Sequence, residues 1–172
     1  TGQNYTSLTG AGGLFAAVNS LGLAGNVTIN ITSNLTEDGT NPLYHWAEQG
    51  AGNYTLTIQP DATTTRLITG DVIAGMIRFN GADRVIIDGS NGTTNRYLTF
   101  RNTNTAGTTA TAFTFINGAV SNNIRYCNIE AYTNATTGVI LFSTSTVICG
   151  NSSNNIRNCN INATVASNSG NI

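Results

Sequence analysis

The 172-residue sequence contains no lysine, and its seven arginines are opposed by eight acidic residues, which leaves a net charge of −1 at pH 7. Without a basic stripe the chain lacks the surface that binds nucleic acid or an anionic membrane. No run of eighteen apolar residues occurs, so membrane insertion is not predicted. Residues 1–4 have neither the charged nor the apolar region of a signal peptide, so a targeting segment, if the protein is secreted, is not in this sequence.

Residues that favour helices are also scarce, since lysine is absent and glutamate and glutamine are few. In their place stand 28 threonines, 25 asparagines, 19 glycines and 11 serines. Threonine suits a pleated strand, whereas glycine and asparagine suit tight corners. Because 40% of the residues are apolar, the composition predicts one packed all-β domain rather than a disordered linker.

A repeat identifies the architecture. Ten of fourteen positions are identical between Gly118–Ala131 and Gly150–Ala163, at a constant offset of 32. A weaker copy covers Asn80–Asp88 and, after an insertion, Tyr97–Asn102. Short strands that recur once every thirty-odd residues indicate a solenoid, and the fold predicted is a right-handed parallel β-helix.

Stacked rungs place equivalent residues in contact about 4.8 Å apart. The alignment predicts inward columns that join Ile124 to Ile156, Phe100 to Ile129 and Ile161, Leu98 to Cys127 and Cys159, and Ala131 to Ala163. It also predicts an outward column of Arg101, Glu130 and Asn162, with a contact between Arg101 and Glu130. The Asn-Asn corners at 122–123 and 154–155 indicate either an amide ladder or simple tolerance of positive φ.

The N-terminal third follows a different pattern. Leu14, Val18 and Leu21 have helical spacing and Gly22 is a stop signal, so a short helix is predicted to cap the first rung. Strands are predicted at 26–32, 54–58 and 66–68. The chain is interpreted as one domain, 1–172, in which 1–60 hold the cap and first strands and 61–172 the rungs. Since 163–172 stop where another rung should start, the natural protein is expected to continue.

One loop is dense in aromatic residues and is the candidate ligand site. Tyr44 and Trp46, with His45 between them, are candidates for a platform on which a sugar ring stacks; the alternative is that these aromatics pack over a cap. No catalytic residue is predicted, because the lone histidine has no serine or cysteine nucleophile beside it. Asp83 and Asp88 are interpreted as turn residues, and neither a metal nor a cofactor is predicted.

Three cysteines occur, at 127, 149 and 159, and they show no metal-binding spacing. Cys127 and Cys159 are equivalent in successive rungs, which places their Cα atoms within the range that a disulfide spans. A ladder of buried thiols satisfies the same spacing, and free thiols are the preferred interpretation.

Several spaced blocks resemble a known group of proteins. Residues 5–17, 35–40, 52–58, 80–89 and 96–104 are similar to N-terminal β-helix regions of large secreted or cell-surface proteins of Bacteroidetes, which carry adhesin-like repeats and a sorting domain for type IX secretion. The resemblance implies an extracellular or outer-surface location, the secretion machinery as a partner, and an adhesive or structural role with a glycan or cell-surface protein as ligand.

Two further hypotheses stay open. In the first, the chain is the capping segment of a polysaccharide-degrading β-helix enzyme, a lyase or glycoside hydrolase, whose catalytic site lies downstream. Unpaired edges at the end of a solenoid also allow end-to-end self-association.

Overall fold

The chain folds into a parallel β-helix with three faces. The computed structural model describes residues 4–132 and 137–163. One helix precedes the strands of this part of the chain: α1 (Leu14–Leu21), β1 (Val27–Ile31), β2 (Leu35–Glu37), β3 (Leu43–Tyr44), β4 (Leu56–Pro60), β5 (Arg66–Gly70), β6 (Ile77–Asn80), β7 (Val85–Asp88), β8 (Leu98–Asn102), β9 (Phe113–Ile116), β10 (Asn123–Arg125), β11 (Cys127–Ala131), β12 (Ile140–Phe142), β13 (Asn155–Arg157) and β14 (Asn160–Ala163).

Each turn of the chain contributes one strand to each of three parallel sheets. Sheet 1 runs β1-β4-β7-β10-β13, sheet 2 runs β2-β5-β8-β11-β14, and sheet 3 runs β3-β6-β9-β12. All these strand pairs are parallel. The described strands therefore make about four turns, and the predicted parallel β-helix with a short N-terminal helix is confirmed.

The length of a turn varies although the sheets stay in register. In sheet 1, Ile58 pairs with Ile87, 29 residues on, and Ile87 pairs with Ile124, 37 residues on. In sheet 3, Phe115 pairs with Phe142 after only 27 residues. Loops at the corners absorb the difference, which is why only the last two copies of the repeat are obvious in the sequence.

The predicted columns of the core are present. Ile124 pairs with Ile156, Ile129 lies between Phe100 and Ile161, and Ala131 pairs with Ala163. The first two residues of the cysteine column, Leu98 and Cys127, also pair. The outward contact is confirmed as well, since Arg101 Nε donates to Glu130 Oε2 at 2.5 Å.

Sheet 3 supplies an aromatic stack that the sequence analysis did not identify. The rings of Phe79 and Phe115 are 5.3 Å apart and edge-on, and those of Phe115 and Phe142 are 4.5 Å apart and parallel. Phe79 and Phe115 are fully buried, whereas Phe142 in the last strand of the sheet is 48% exposed. Each ring is covered by the ring of the next turn, so burial depends on position along the axis.

The N-terminal segment closes the first turn. Leu14 and Val18 of α1 are buried, whereas Leu21, which continues their helical spacing, is 70% exposed. Leu21 is the last helical residue and Gly22 turns the chain away with a φ of 69°. The loop ahead of the helix is held by Glu37 of β2, which is 2% exposed: its carboxylate accepts hydrogen bonds from the Leu8 amide (2.8 Å) and the Thr9 hydroxyl (2.6 Å).

The Asn-Asn corners form a ladder rather than positive-φ turns. Asn122 Nδ2 donates to Asn154 Oδ1 at 3.0 Å, and Asn122 Oδ1 accepts from the Val85 amide at 3.0 Å. Positive φ falls instead on the preceding residues, Ser121 and Ser153, both at 57°. The buried amide of Asn122 thus links three successive turns through hydrogen bonds.

Candidate functional site

The three residues of the predicted platform do not share one surface. Tyr44 is the outward residue of β3 and is 47% exposed, whereas Trp46 is 1% exposed and belongs to the core. The prediction that Trp46 presents its ring to a ligand is therefore wrong, and the packing alternative describes it. Strand alternation would put residues 44 and 46 on the same face. Because β3 ends at Tyr44, the alternation does not extend to Trp46, and the loop after the strand turns its ring into the core.

Tyr44 lies on a polar strip that crosses sheet 3. It pairs with Asn80 of the next turn, whose Oδ1 accepts a hydrogen bond from Asn117 Nδ2 at 2.7 Å. From the helix side, Asn19 Oδ1 accepts from the Tyr44 amide at 2.9 Å. Tyr44, His45, Asn80 and Asn117 are named the Tyr44 surface here, and they place an aromatic ring beside amides and an imidazole.

His45 is exposed, and its imidazole ring contacts the largely buried carboxylate of Asp83. Its Nδ1 lies 3.0 Å from Asp83 Oδ1, and the side chains of His45 and Asp83 are 63% and 10% exposed. The interaction fixes the ring orientation, either through Nδ1–H of a neutral imidazole or through the protonated form. With Nδ1 occupied, Nε2 is the ring nitrogen with which His45 can bind a ligand.

Arg84 forms ion pairs that connect the loops next to His45. Its guanidinium forms ion pairs with Asp83 and, at 2.7 Å, with Glu48, and it lies 6.0 Å from the centre of the buried Trp46 ring. Arg84 adopts a φ of 56° and its Nε donates to the Tyr54 carbonyl at 3.1 Å. The network joins loops of two successive turns and supports the residues above it.

Glu48 remains ionised in this network. The Asn53 amide donates to Glu48 Oε2 at 2.9 Å and is the main reason that the pKa of Glu48 is lowered; burial acts in the opposite direction, and the Tyr54 amide and Arg84 lower it further. A carboxyl group that donates a proton in glycan hydrolysis has a raised pKa. Glu48 is thus suited to structural pairing rather than to a general-acid role.

Asp88, the other acid considered from the sequence, lies in a separate group at the next corner. It accepts hydrogen bonds from the Ser90 amide (3.0 Å) and hydroxyl (2.6 Å) and from Arg125 (2.9 Å). Burial alone would raise its pKa, but the bonds from Ser90 and Arg125 lower it overall. Asp88 has the turn role predicted for it, whereas Asp83 accepts from side chains rather than from the backbone.

The glycine after Asp88 marks an insertion in the turn. A Cβ on Gly89 would lie 2.0 Å from the backbone oxygen of Tyr126, which is stacked on it from the next turn. The Tyr97 amide donates back to the Gly89 carbonyl at 2.8 Å. Residues 90–96 therefore loop out of the corner while the strands on either side stay in register.

Sequence reasoning missed Asn80 and Asn117 as parts of a surface. A signal was present, because the dipeptide Asn-Gly occurs at 80–81 and again at 117–118, the same offset of 37 that separates Ile87 from Ile124. The contacts of Glu48 with Arg84 had no comparable signal, since they join loops of different length.

Comparison of the chain with protein-family models, with curated proteins and with solved structures gave no match. Within residues 4–132 and 137–163, no helix is long and apolar enough to cross a bilayer. The same residues contain no group of three or more His, Cys, Asp or Glu side chains arranged to hold a metal ion. Conclusions about function therefore rest on the sequence and on the geometry of the chain itself.

Proposed function

We propose that this chain is an extracellular structural and adhesive β-helix module that binds glycan through the Tyr44 surface. The observation that carries the proposal is a half-exposed tyrosine ring beside asparagine amides and an imidazole on one strip of sheet 3. Ligand sites combine apolar contact area with a few well-placed polar groups. An aromatic ring offers area to the apolar face of a sugar, and the amides offer donors and acceptors to its hydroxyl groups.

Rigidity favours binding at this strip. The Tyr44 backbone is held by Asn19 on one side and by its pairing with Asn80 on the other, and His45 is held by Asp83. Side chains that are already ordered lose little conformational entropy when a ligand binds. A stacked scaffold thus suits a module that presents a fixed surface.

The extracellular part of the proposal has a different basis. It comes from the resemblance, noted in the sequence, of residues 5–17, 35–40, 52–58, 80–89 and 96–104 to N-terminal β-helix regions of large secreted or cell-surface proteins of Bacteroidetes. The same similarity makes the type IX secretion machinery the expected route out of the cell, and a glycan or a cell-surface protein the expected ligand.

A panel of neutral and acidic glycans, immobilised and probed with the purified chain, tests the proposal. We expect the parent chain to bind, and Tyr44→Ala to raise the dissociation constant by about tenfold or more. A tenfold change corresponds to the loss of roughly 1.4 kcal/mol of binding free energy, which is reasonable for a central aromatic contact. His45→Ala should weaken it less. Tyr97→Ala is the matched control, because Tyr97 lies at the corner between sheets 1 and 2 and should leave binding unchanged.

Two outcomes would contradict the proposal. Equal losses for the Tyr44 and Tyr97 variants would place the ligand elsewhere on the solenoid. New reducing ends or unsaturated products in the glycan incubations would instead favour the polysaccharide-degrading alternative. Far-UV circular dichroism of each variant separates loss of the surface from loss of the fold.

A further inference from the structure

Two thiols lie one above the other at the corner between sheets 1 and 2. Cys127 and Cys159 directly precede Asn128 and Asn160, which are register partners of β11 and β14. The residues before the cysteines, Tyr126 and Asn158, have matching φ angles of 52° and 54°, so the chain enters both strands in the same way. Parallel register neighbours are separated by about 4.8 Å, inside the Cα range of roughly 4.4–6.8 Å that a disulfide spans.

The two thiols differ in access. Cys127 is fully buried under the next turn, whereas Cys159 is half-buried and both are free in this structure. A reagent in solvent can reach Cys159 first, while Cys127 is sheltered until its neighbour has reacted. The third cysteine, Cys149, is exposed and lies outside this column.

We infer that Cys127 and Cys159 are a latent disulfide that fastens β14 to β11 when the chain meets a low-molecular-weight disulfide such as oxidised glutathione. The Cys159 thiolate attacks one sulfur of the oxidant, forms a mixed disulfide and releases one thiolate. The Cys127 sulfur, after losing its proton to solvent, attacks Cys159 Sγ and releases the second glutathione thiolate. In sum, two protein thiols are oxidised to one disulfide, and one molecule of oxidant is reduced to two thiols.

The electrostatics support this order of events. The neighbouring Cys127 thiol is the main cause that lowers the pKa of Cys159 to about 7; burial opposes it, and the positive charge of Arg96 adds to it. A large fraction of Cys159 is thus the nucleophilic thiolate near neutral pH. Burial chiefly raises the pKa of Cys127, and the neighbouring Cys159, with its negative charge, raises it further. That second contribution disappears once Cys159 is in a mixed disulfide.

The bond has a structural consequence because β14 is the outermost described strand of sheet 2. Ile161 in this strand is 43% exposed and the residues around it are exposed as well. A covalent link to the buried strand β11 restricts opening of the outermost turn. The inference is independent of glycan binding, so failure of one leaves the other intact.

The test uses the full chain with Cys149→Ser, which leaves Cys127 and Cys159 as its two thiols. After incubation with oxidised glutathione under native conditions, free thiols are alkylated and the protein is digested with trypsin. Cleavage after Arg125 and Arg157 puts the two cysteines on different peptides. We expect the cross-linked pair of peptides, formed at least about tenfold faster than in denaturing urea because the thiols are held together.

Two companion measurements sharpen the result. In the Cys127→Ser, Cys149→Ser variant, Cys159 should stop at the glutathione mixed disulfide. In the oxidised Cys149→Ser chain, amide hydrogen exchange in β14 should slow at least about tenfold relative to the reduced chain. Two alkylatable thiols after native oxidation, or a stable mixed disulfide at Cys159 with Cys127 present, would overturn the inference.

Discussion

The isoleucine column of sheet 1 offers a direct test of how a solenoid distributes its stability. Ile87 is fully buried between Ile58 and Ile124. Ile87→Ala removes three carbons, which at about 0.8 kcal/mol each amounts to ~2.4 kcal/mol of lost transfer free energy. The cavity between two packed neighbours raises the expected loss to about 4 kcal/mol, within the range of roughly 2–5 kcal/mol seen for such changes.

The same substitution at the outer end of the column is the matched comparison. Ile156 pairs with Ile124 on one side and is half-buried. Ile156→Ala gives up only part of the burial, and solvent enters the space, so the expected loss is about 1 kcal/mol. For a chain of this length these losses correspond to melting temperatures lower by roughly 8–16 °C and 2–4 °C.

Urea unfolding at 25 °C, followed by far-UV circular dichroism, measures both variants against the parent chain. Hydrogen exchange then locates the effect, which should spread to both neighbouring turns for Ile87→Ala and stay in the last turns for Ile156→Ala. Equal losses for the two variants would refute the reasoning, because burial along the axis would then not determine the contribution of a column position.

Three other consequences are open to the same measurements. Because the pKa of Asp88 is lowered, this residue contributes to stability above the ordinary aspartate pKa of about 3.9, and the contribution is lost as the pH falls through the lowered pKa. Asp88→Asn should therefore lower the free energy of unfolding at pH 7 and make that free energy depend less on pH in the acid range. Gly89→Ala should cost about 2–3 kcal/mol or more, since its Cβ would meet a backbone oxygen, whereas Gly25→Ala, with open space around it, should change stability by less than about 0.5 kcal/mol. A double-mutant cycle on Arg101 and Glu130 should give a coupling of about 0.5–1 kcal/mol that shrinks as salt is added, because the arginine side chain is 39% exposed; a coupling unaffected by salt would contradict this.

The repeat alone was enough to predict the stacking of turns, because identical residues at a constant offset must become neighbours in a parallel solenoid. It correctly placed Ile124 on Ile156 and Ile129 between Phe100 and Ile161. The alternation of polar residues also predicted the contact from Arg101 to Glu130. These predictions needed only a period and the two-residue alternation of a strand.

The candidate site was only half predictable. Tyr44 and His45 are at the surface as the sequence suggested, but the inward turn of Trp46 and the ionic support from Arg84 appear only in three dimensions. An aromatic-dense segment has no periodicity long enough to say which of its rings points inward. The structure therefore removes Trp46 from the candidate surface and adds Asn80 and Asn117 to it.

What the sequence by itself determined is the parallel stacking of short strands, the columns of the last three turns and the presence of a capping helix, since each follows from a local pattern or a fixed offset. The tertiary structure alone decided the third sheet, the burial of Trp46, and the carboxylate of Glu37 that binds the loop ahead of the helix. The physical reason is that these features depend on corner loops of unequal length, which bring together residues with no constant separation in the chain.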